Sequence, residues 1–297
     1  MKNWIQAARL RTLPLSVSGI LIGSAYAYYQ HQFDRTIFAL AILTTLAFQV
    51  LSNFANDYGD GVKGTDVNRV GEKRLVASGE VTSTQMKQAV ILMGIISFVL
   101  AVSLIYVAFG KENFLYSLLF LFLGVASIVS AIKYTVGKNA YGYSGFGDIF
   151  VFIFFGLVSV LGSNFLFTKL LDWKLVLPAV SIGLLSVAVL NLNNMRDLEN
   201  DKSANKNTLV VKKGLLWSKK YHEIIIIVAS LSFMTFCIIL NVPLFSILIV
   251  NLPLLLHLKK IKTAQHYSDF EPELKKVALS TFALSVLFWL TLYISNF

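Results

Sequence analysis

The sequence predicts an all-α integral membrane protein with nine transmembrane helices, and three observations carry that prediction. Apolar runs of about 20 residues, the length that crosses a bilayer as a helix, recur along the whole chain. Of the 297 residues, 56% are hydrophobic and only 14% charged, against roughly a quarter charged in a soluble domain. The basic residues that give a formal net charge of +10 lie between the apolar runs, not on one face or tail. Loops on one side of a bilayer explain that pattern, and no nucleic-acid partner is expected.

The elements follow in order. The lead MKNWIQAARLRTLP is basic and partly amphipathic, and it opens into a first apolar span at 13–29. Ala25-Tyr26-Ala27 mimics a signal-peptidase site, but eight further spans favour an uncleaved first helix. Those spans are 36–56, 84–108, 113–133, 146–168, 175–196, 221–241, 243–258 and 277–295. The division between the seventh and eighth rests on the short Asn241-Val242-Pro243 turn. Cys237 is the single cysteine and lies inside a span, which rules out an intrachain disulfide. The four histidines lack metal-ligand spacing.

All 26 lysines and arginines except Arg35, Lys111, Lys169 and Lys174 fall at the N-terminus or after even-numbered spans. The positive-inside rule then sets the N-terminus and those loops in the cytoplasm and the C-terminus outside, in an inner-membrane protein. One polytopic domain, 1–297, is expected. Its halves (1–140 and 141–260) have parallel topology, which suggests a pseudo-repeat with a ninth helix added.

Two acidic stretches stand out because each directly follows a span, where carboxylates are costly and usually functional. The first is NDYGDGVKGTD, 56–66, and the second is NNMRDLEND, 193–201. Asn56 and Asp60, like Asn193 and Asp197, are four residues apart, so on a helix each pair shares a face, and Asp201 extends the second into a column of three. One such pair is more often a helix cap than a ligand set. Two copies at matched topological positions favour hard oxygen ligands for Mg2+, which a few carboxylates hold together with substrate phosphates. Lys63, Arg69, Lys73 and Arg74 in the first loop and Lys202 and Lys206 in the second supply cations for a departing phosphate. Tyr134 and Lys138 are also four apart, and a helical turn would aim both at that phosphate; an interfacial aromatic with a snorkelling lysine is the plainer alternative. GFGD, 145–148, lacks the lysine and preceding strand of a nucleotide loop.

With these residues in place, the sequence resembles the UbiA superfamily of intramembrane prenyltransferases. That superfamily carries N-D-x-x-D after its second helix, here Asn56, Asp57 and Asp60, and D-x-x-x-D after its sixth, here Asp197 and Asp201. Tyr134 and Lys138 match its Y-x-x-x-K element. Gly64 departs from the longer acidic form of the first motif, and Asp66 is the nearby substitute. RLRTLP, RLVASGEVT and YTVGKNAYGYSGFGD resemble the branch of the menaquinone pathway that prenylates 1,4-dihydroxy-2-naphthoate.

The resemblance implies a nine-helix bundle with an active-site cavity at its cytoplasmic side. It implies transfer of a polyprenyl group from its diphosphate to an aromatic acid, with loss of diphosphate and CO2, using Mg2+ or Mn2+ as a substitute ion. Asn56, Asp60, Asp197 and Asp201 would hold the metal, with Asp57 and Asp66 supporting that cluster or orienting the acceptor. Lys63, Arg74, Lys138, Asn193 and Lys206 would serve the diphosphate, and Arg9 the acceptor carboxylate. Other acceptors, such as 4-hydroxybenzoate, homogentisate or haem, share this frame. An ion-coupled transporter fits less well: its site belongs near the midplane, whereas these acids sit at span ends among Lys and Arg.

Overall fold

The fold was analysed in a computed structural model that describes residues 2–65, 73–243 and 245–295, and every described element is helical. Asp66 and Arg69 lie outside the described residues. The helices are α1 (Lys2–Ala8), α2 (Leu13–Tyr29), α3 (Arg35–Lys63), α4 (Ser83–Phe109), α5 (Phe114–Lys133) and α6 (Gly147–Thr168). They continue as α7 (Val176–Arg196), α8 (Leu198–Ser203), α9 (Leu209–Lys213), α10 (Leu215–Ile239), α11 (Phe245–Thr263) and α12 (Phe270–Ser295).

Seven of them (α3 to α7, α10 and α12) are long and apolar enough to cross a membrane, so this is a multi-pass membrane protein. The other two expected spans also fall on helices but do not meet that standard. At 17 residues α2 reaches only about 26 Å at the rise of an α-helix. α11 carries Pro253 in its interior, and Lys260 and Lys262 crowd its last turn.

The centre of the bundle is α7, which is apolar on all sides and buried along most of its length, including Ala179, Ile182, Leu185, Ala188 and Leu192. Lipid tails are as apolar as leucine, so close approach, not hydrophobicity, decides which helices pair. A Cβ on Gly156 of α6 would come within 2.6 Å of the Ala179 carbonyl oxygen and 2.7 Å of Gly183 on α7. Only glycine lets these two backbones meet. The same part of α6, Phe152–Gly162, is wound as a wider π-helix. At the periphery α5 has no buried residue, and Leu115, Leu119 and Phe122 face outward where lipid would lie.

A polar line runs through the apolar contact of α10, α11 and α12. His222 and His257 bring their Nε2 atoms to 2.7 Å, and His257 Nδ1 lies 2.6 Å from Glu273 Oε2. Lys276 Nζ donates to Glu273 Oε1 at 2.7 Å, and both histidines are fully buried.

The two acidic stretches differ in local structure. α3 continues unbroken through Asn56, Asp57 and Asp60 and ends where Gly64 takes φ 71°. The second stretch was expected as one helical column, but α7 stops at Arg196 and Asp197 forms the junction to α8. The i to i+4 hydrogen bonds survive the break, Asp197 N to Asn193 O at 3.0 Å and Asp201 N to Asp197 O at 2.8 Å. Asn193, Asp197 and Asp201 therefore keep helical spacing across the junction, on two helices joined at Asp197 and not on one.

Candidate active site

Both stretches meet at one cavity of about 430 Å³. α3 lines it with Ala41, Thr44, Phe48, Ser52, Asn56 and Asp60. These residues recur every three or four positions, so the cavity follows one face of α3 for about 28 Å and grades from apolar to acidic. α7 contributes Leu190, Asn193 and Arg196 to the polar end, where Arg9, Arg74 and Lys206 also sit. Phe120, Phe154 and Leu166 belong to the apolar remainder.

Of the described acids in the two stretches only Asp60 lines the cavity; Asp57, Asp197 and Asp201 lie outside its wall, and each acid has its own partners. Asp60, only 2% exposed, accepts a hydrogen bond from the Tyr143 hydroxyl at 2.7 Å and has Arg74 Nη2 at 4.0 Å. Asn56 accepts from the Thr135 hydroxyl at 3.3 Å. Asp57 points elsewhere: its two oxygens accept the backbone N–H groups of Leu75 and Val76, each at 3.1 Å. It tethers the segment that carries Arg74. In the second stretch Arg196 Nε and Nη2 each donate to an Asp197 oxygen at 2.7 Å. The same guanidinium reaches Asn193 Oδ1 at 2.8 Å and Glu271 through Nη1. Asp201 lies 3.5 Å from Lys206 Nζ.

Tyr143 joins the two halves. Its ring carries Lys63 Nζ at 3.7 Å and Lys206 Nζ at 5.5 Å, within cation–π range. Burial first, and the Asp60 carboxylate second, push its phenol well above the ordinary value. It therefore stays protonated and donates to Asp60. Asn200 adds a second tie, donating to the Thr65 carbonyl oxygen at 2.7 Å. Tyr143→Phe should lower turnover about tenfold, the size of one hydrogen bond to a charged group, with helix content unchanged. Steady-state kinetics beside circular dichroism checks this.

Not every expected site residue reaches the cavity. A helical turn was to put Tyr134 and Lys138 on one face, but α5 ends at Lys133, and Gly137 at φ 97° turns the chain away. Tyr134 lines the cavity, whereas Lys138 is exposed and outside its wall. Lys63 is exposed and lies over Tyr143. Arg9 lines the polar end from a left-handed backbone, φ 48°. Tyr143, Arg196, Asn200 and Glu271 were missed. Arg196 sits in the motif itself, beside Asp197, and was the one legible omission.

Among the described residues no three His, Cys, Asp or Glu side chains converge closely enough to hold a metal alone. The donor set nevertheless suits Mg2+, because that ion needs only one or two carboxylates when substrate phosphates and water complete its shell. Asp60 and Asn56 offer such oxygens at the cavity wall, with cations beside them for the phosphates.

The UbiA prenyltransferase family profile matches residues 16–274. The chain is 40% identical over 299 residues to the 1,4-dihydroxy-2-naphthoate octaprenyltransferase of Haemophilus influenzae, an alignment covering 99% of this chain and 96% of that protein. It is 44% identical over 220 residues to the Escherichia coli K12 protein of the same name, covering 74% of this chain and 71% of the relative. A UbiA homolog from Archaeoglobus fulgidus, solved bound to GPP and Mg2+, shares the fold at a TM-score of 0.65 with 14% identity, covering 98% of both chains. Motifs, fold and relatives agree: the chain belongs to the UbiA prenyltransferase family.

Proposed function

We propose that this protein transfers a polyprenyl group from polyprenyl diphosphate to 1,4-dihydroxy-2-naphthoate, releasing diphosphate and CO2 in the menaquinone pathway. The observation that carries the reading is the graded cavity, with Asn56, Asp60 and Asn193 and cations from both halves at one end and apolar walls beyond. The relatives at 40% and 44% identity that bear this activity in their names support the acceptor.

The chemistry follows from the gradient. Arg74 and Lys206 would bind the diphosphate, and the apolar walls would take the prenyl chain. Bound Mg2+ would neutralise charge on the leaving diphosphate. Asn56, Asp60, Asp197 and Asp201 are the residues proposed to hold it. As the allylic C–O bond breaks, diphosphate takes the electron pair and the allylic carbon gains cation character. A carbon–carbon bond forms to the electron-rich ring, the carboxylate departs as CO2, and its electron pair returns to the ring. The walls must exclude water, which would otherwise capture the cation. Arg9, at the polar end, is the proposed partner of the acceptor carboxylate.

The reading extends to topology. All nine long helices would cross an inner membrane as one polytopic unit, with the N-terminus and polar mouth cytoplasmic and the C-terminus outside. Membranes containing the protein, supplied with Mg2+ and labelled polyprenyl diphosphate, should prenylate dihydroxynaphthoate among a panel of aromatic acids. Product from 4-hydroxybenzoate and none from dihydroxynaphthoate would overturn the acceptor.

A further inference from the structure

The last helix contributes to the acidic centre from a distance. Glu271, in the first turn of α12, receives Arg196 Nη1 on one oxygen and Arg11 Nη1 on the other, the latter at 2.7 Å. Arg196 in turn grips both oxygens of Asp197. One ionic chain thus runs from the N-terminal turn through Glu271 and Arg196 to the acid of the second motif. A second tie lies beside it, where the Tyr267 hydroxyl donates to Glu199 of α8 at 2.8 Å. The segment 267–271 therefore braces the second motif on both sides of Asp197.

That brace acts at the junction between two helices. Asp197 is the junction between α7 and α8, at φ −93° and ψ 10°, and belongs fully to neither helix. Its carboxylate takes its direction from Arg196, whose side chain is only 1% exposed. A guanidinium is a rigid planar fork, so whatever fixes one of its edges fixes the other. Glu271 holds Nη1 while Nε and Nη2 face Asp197.

From this geometry we infer that Glu271 is a positioning residue for the diphosphate site, setting the direction of the Asp197 carboxylate through Arg196. The inference rests on the proposed role of Asp197 in holding Mg2+–diphosphate. Glu271 is not among the residues of the cavity wall. Its removal leaves Asp197 in place but free to turn with the guanidinium.

The test is calorimetric binding of inorganic diphosphate in the presence of Mg2+ to the full-length protein in detergent. Glu271→Gln keeps the shape and removes the charge, and should weaken binding about tenfold, the scale of one charge-assisted contact. Tyr267→Phe removes only the second tie at a half-exposed position and should weaken it about threefold. If Glu271→Gln fails to fold, Glu271→Asp, which keeps the charge but shortens its reach to Arg196, is measured in its place and should weaken binding likewise. Binding as tight as in the wild type, with or without a lowered melting temperature, would reduce the contacts to scaffolding and overturn the inference. Turnover with dihydroxynaphthoate is measured separately on the wild type, so a failed acceptor assignment is told apart from a failed brace.

Discussion

Asp60→Ala should lower prenyl transfer by at least ~10³-fold while leaving a folded helical membrane protein. Asp60 is the acid of the first motif that lies in the cavity wall, and it sits beside Arg74 and Tyr143. Its loss removes a proposed metal ligand and leaves the Arg74 guanidinium without that counter-charge in a buried position. Little of the fold depends on it, because α3 is fixed along its length by packing against α4 and α5. Asp60→Glu should recover part of the activity, since the carboxylate survives at a displaced position. Turnover per folded protein, at saturating Mg2+, is the measurement. Rates within tenfold of wild type in the alanine variant would remove Asp60 from the site.

The second large effect comes from Asp57, one turn away and by a different route. Asp57 holds the N–H groups of Leu75 and Val76, and so fixes the segment that carries Arg74. Asp57→Ala leaves two N–H groups without their acceptor, at a cost of roughly 1–3 kcal/mol each where they stay buried. The segment should loosen, and Arg74 with it. We expect about a 10²-fold loss in kcat/KM, expressed mainly as a raised KM for the prenyl diphosphate, whereas Asp60→Ala acts mainly on kcat. Faster limited proteolysis after Arg74 in the Asp57 variant, and not in the Asp60 variant, would separate the two roles. Equal kinetic signatures would argue that both acids act on the metal.

These contrasts mark how far sequence could go. Length and apolarity disclosed the spans because lipid imposes both directly, and the two acidic stretches were visible because carboxylates beside a span are costly. The partition of labour within NDYGD was not visible, since Asp57 and Asp60 differ in direction by only about 60° on a helix, and the partners that divide them, Leu75 and Val76 against Tyr143, are distant in the chain. Gly137 was a readable stop signal for α5, and heeding it would have separated Tyr134 from Lys138. Arg196 could have been suspected as a neutralising neighbour of Asp197. Tyr143 and Glu271 could not, because their partners are distant along the chain and only packing brings them together.

The buried line from His222 through His257 to Glu273 bears on how α12 is turned about its own axis. Lipid distinguishes poorly between one apolar face of a helix and another, so greasy contact alone would let α12 roll. A carboxylate that must find an imidazole inside the bundle admits only one angular setting. Glu271 precedes Glu273 by two residues, and that setting swings it to the opposite side, toward Arg196. The histidines thus act as the key that clocks the helix, and the mouth of the cavity inherits its alignment from a lock buried among three helices.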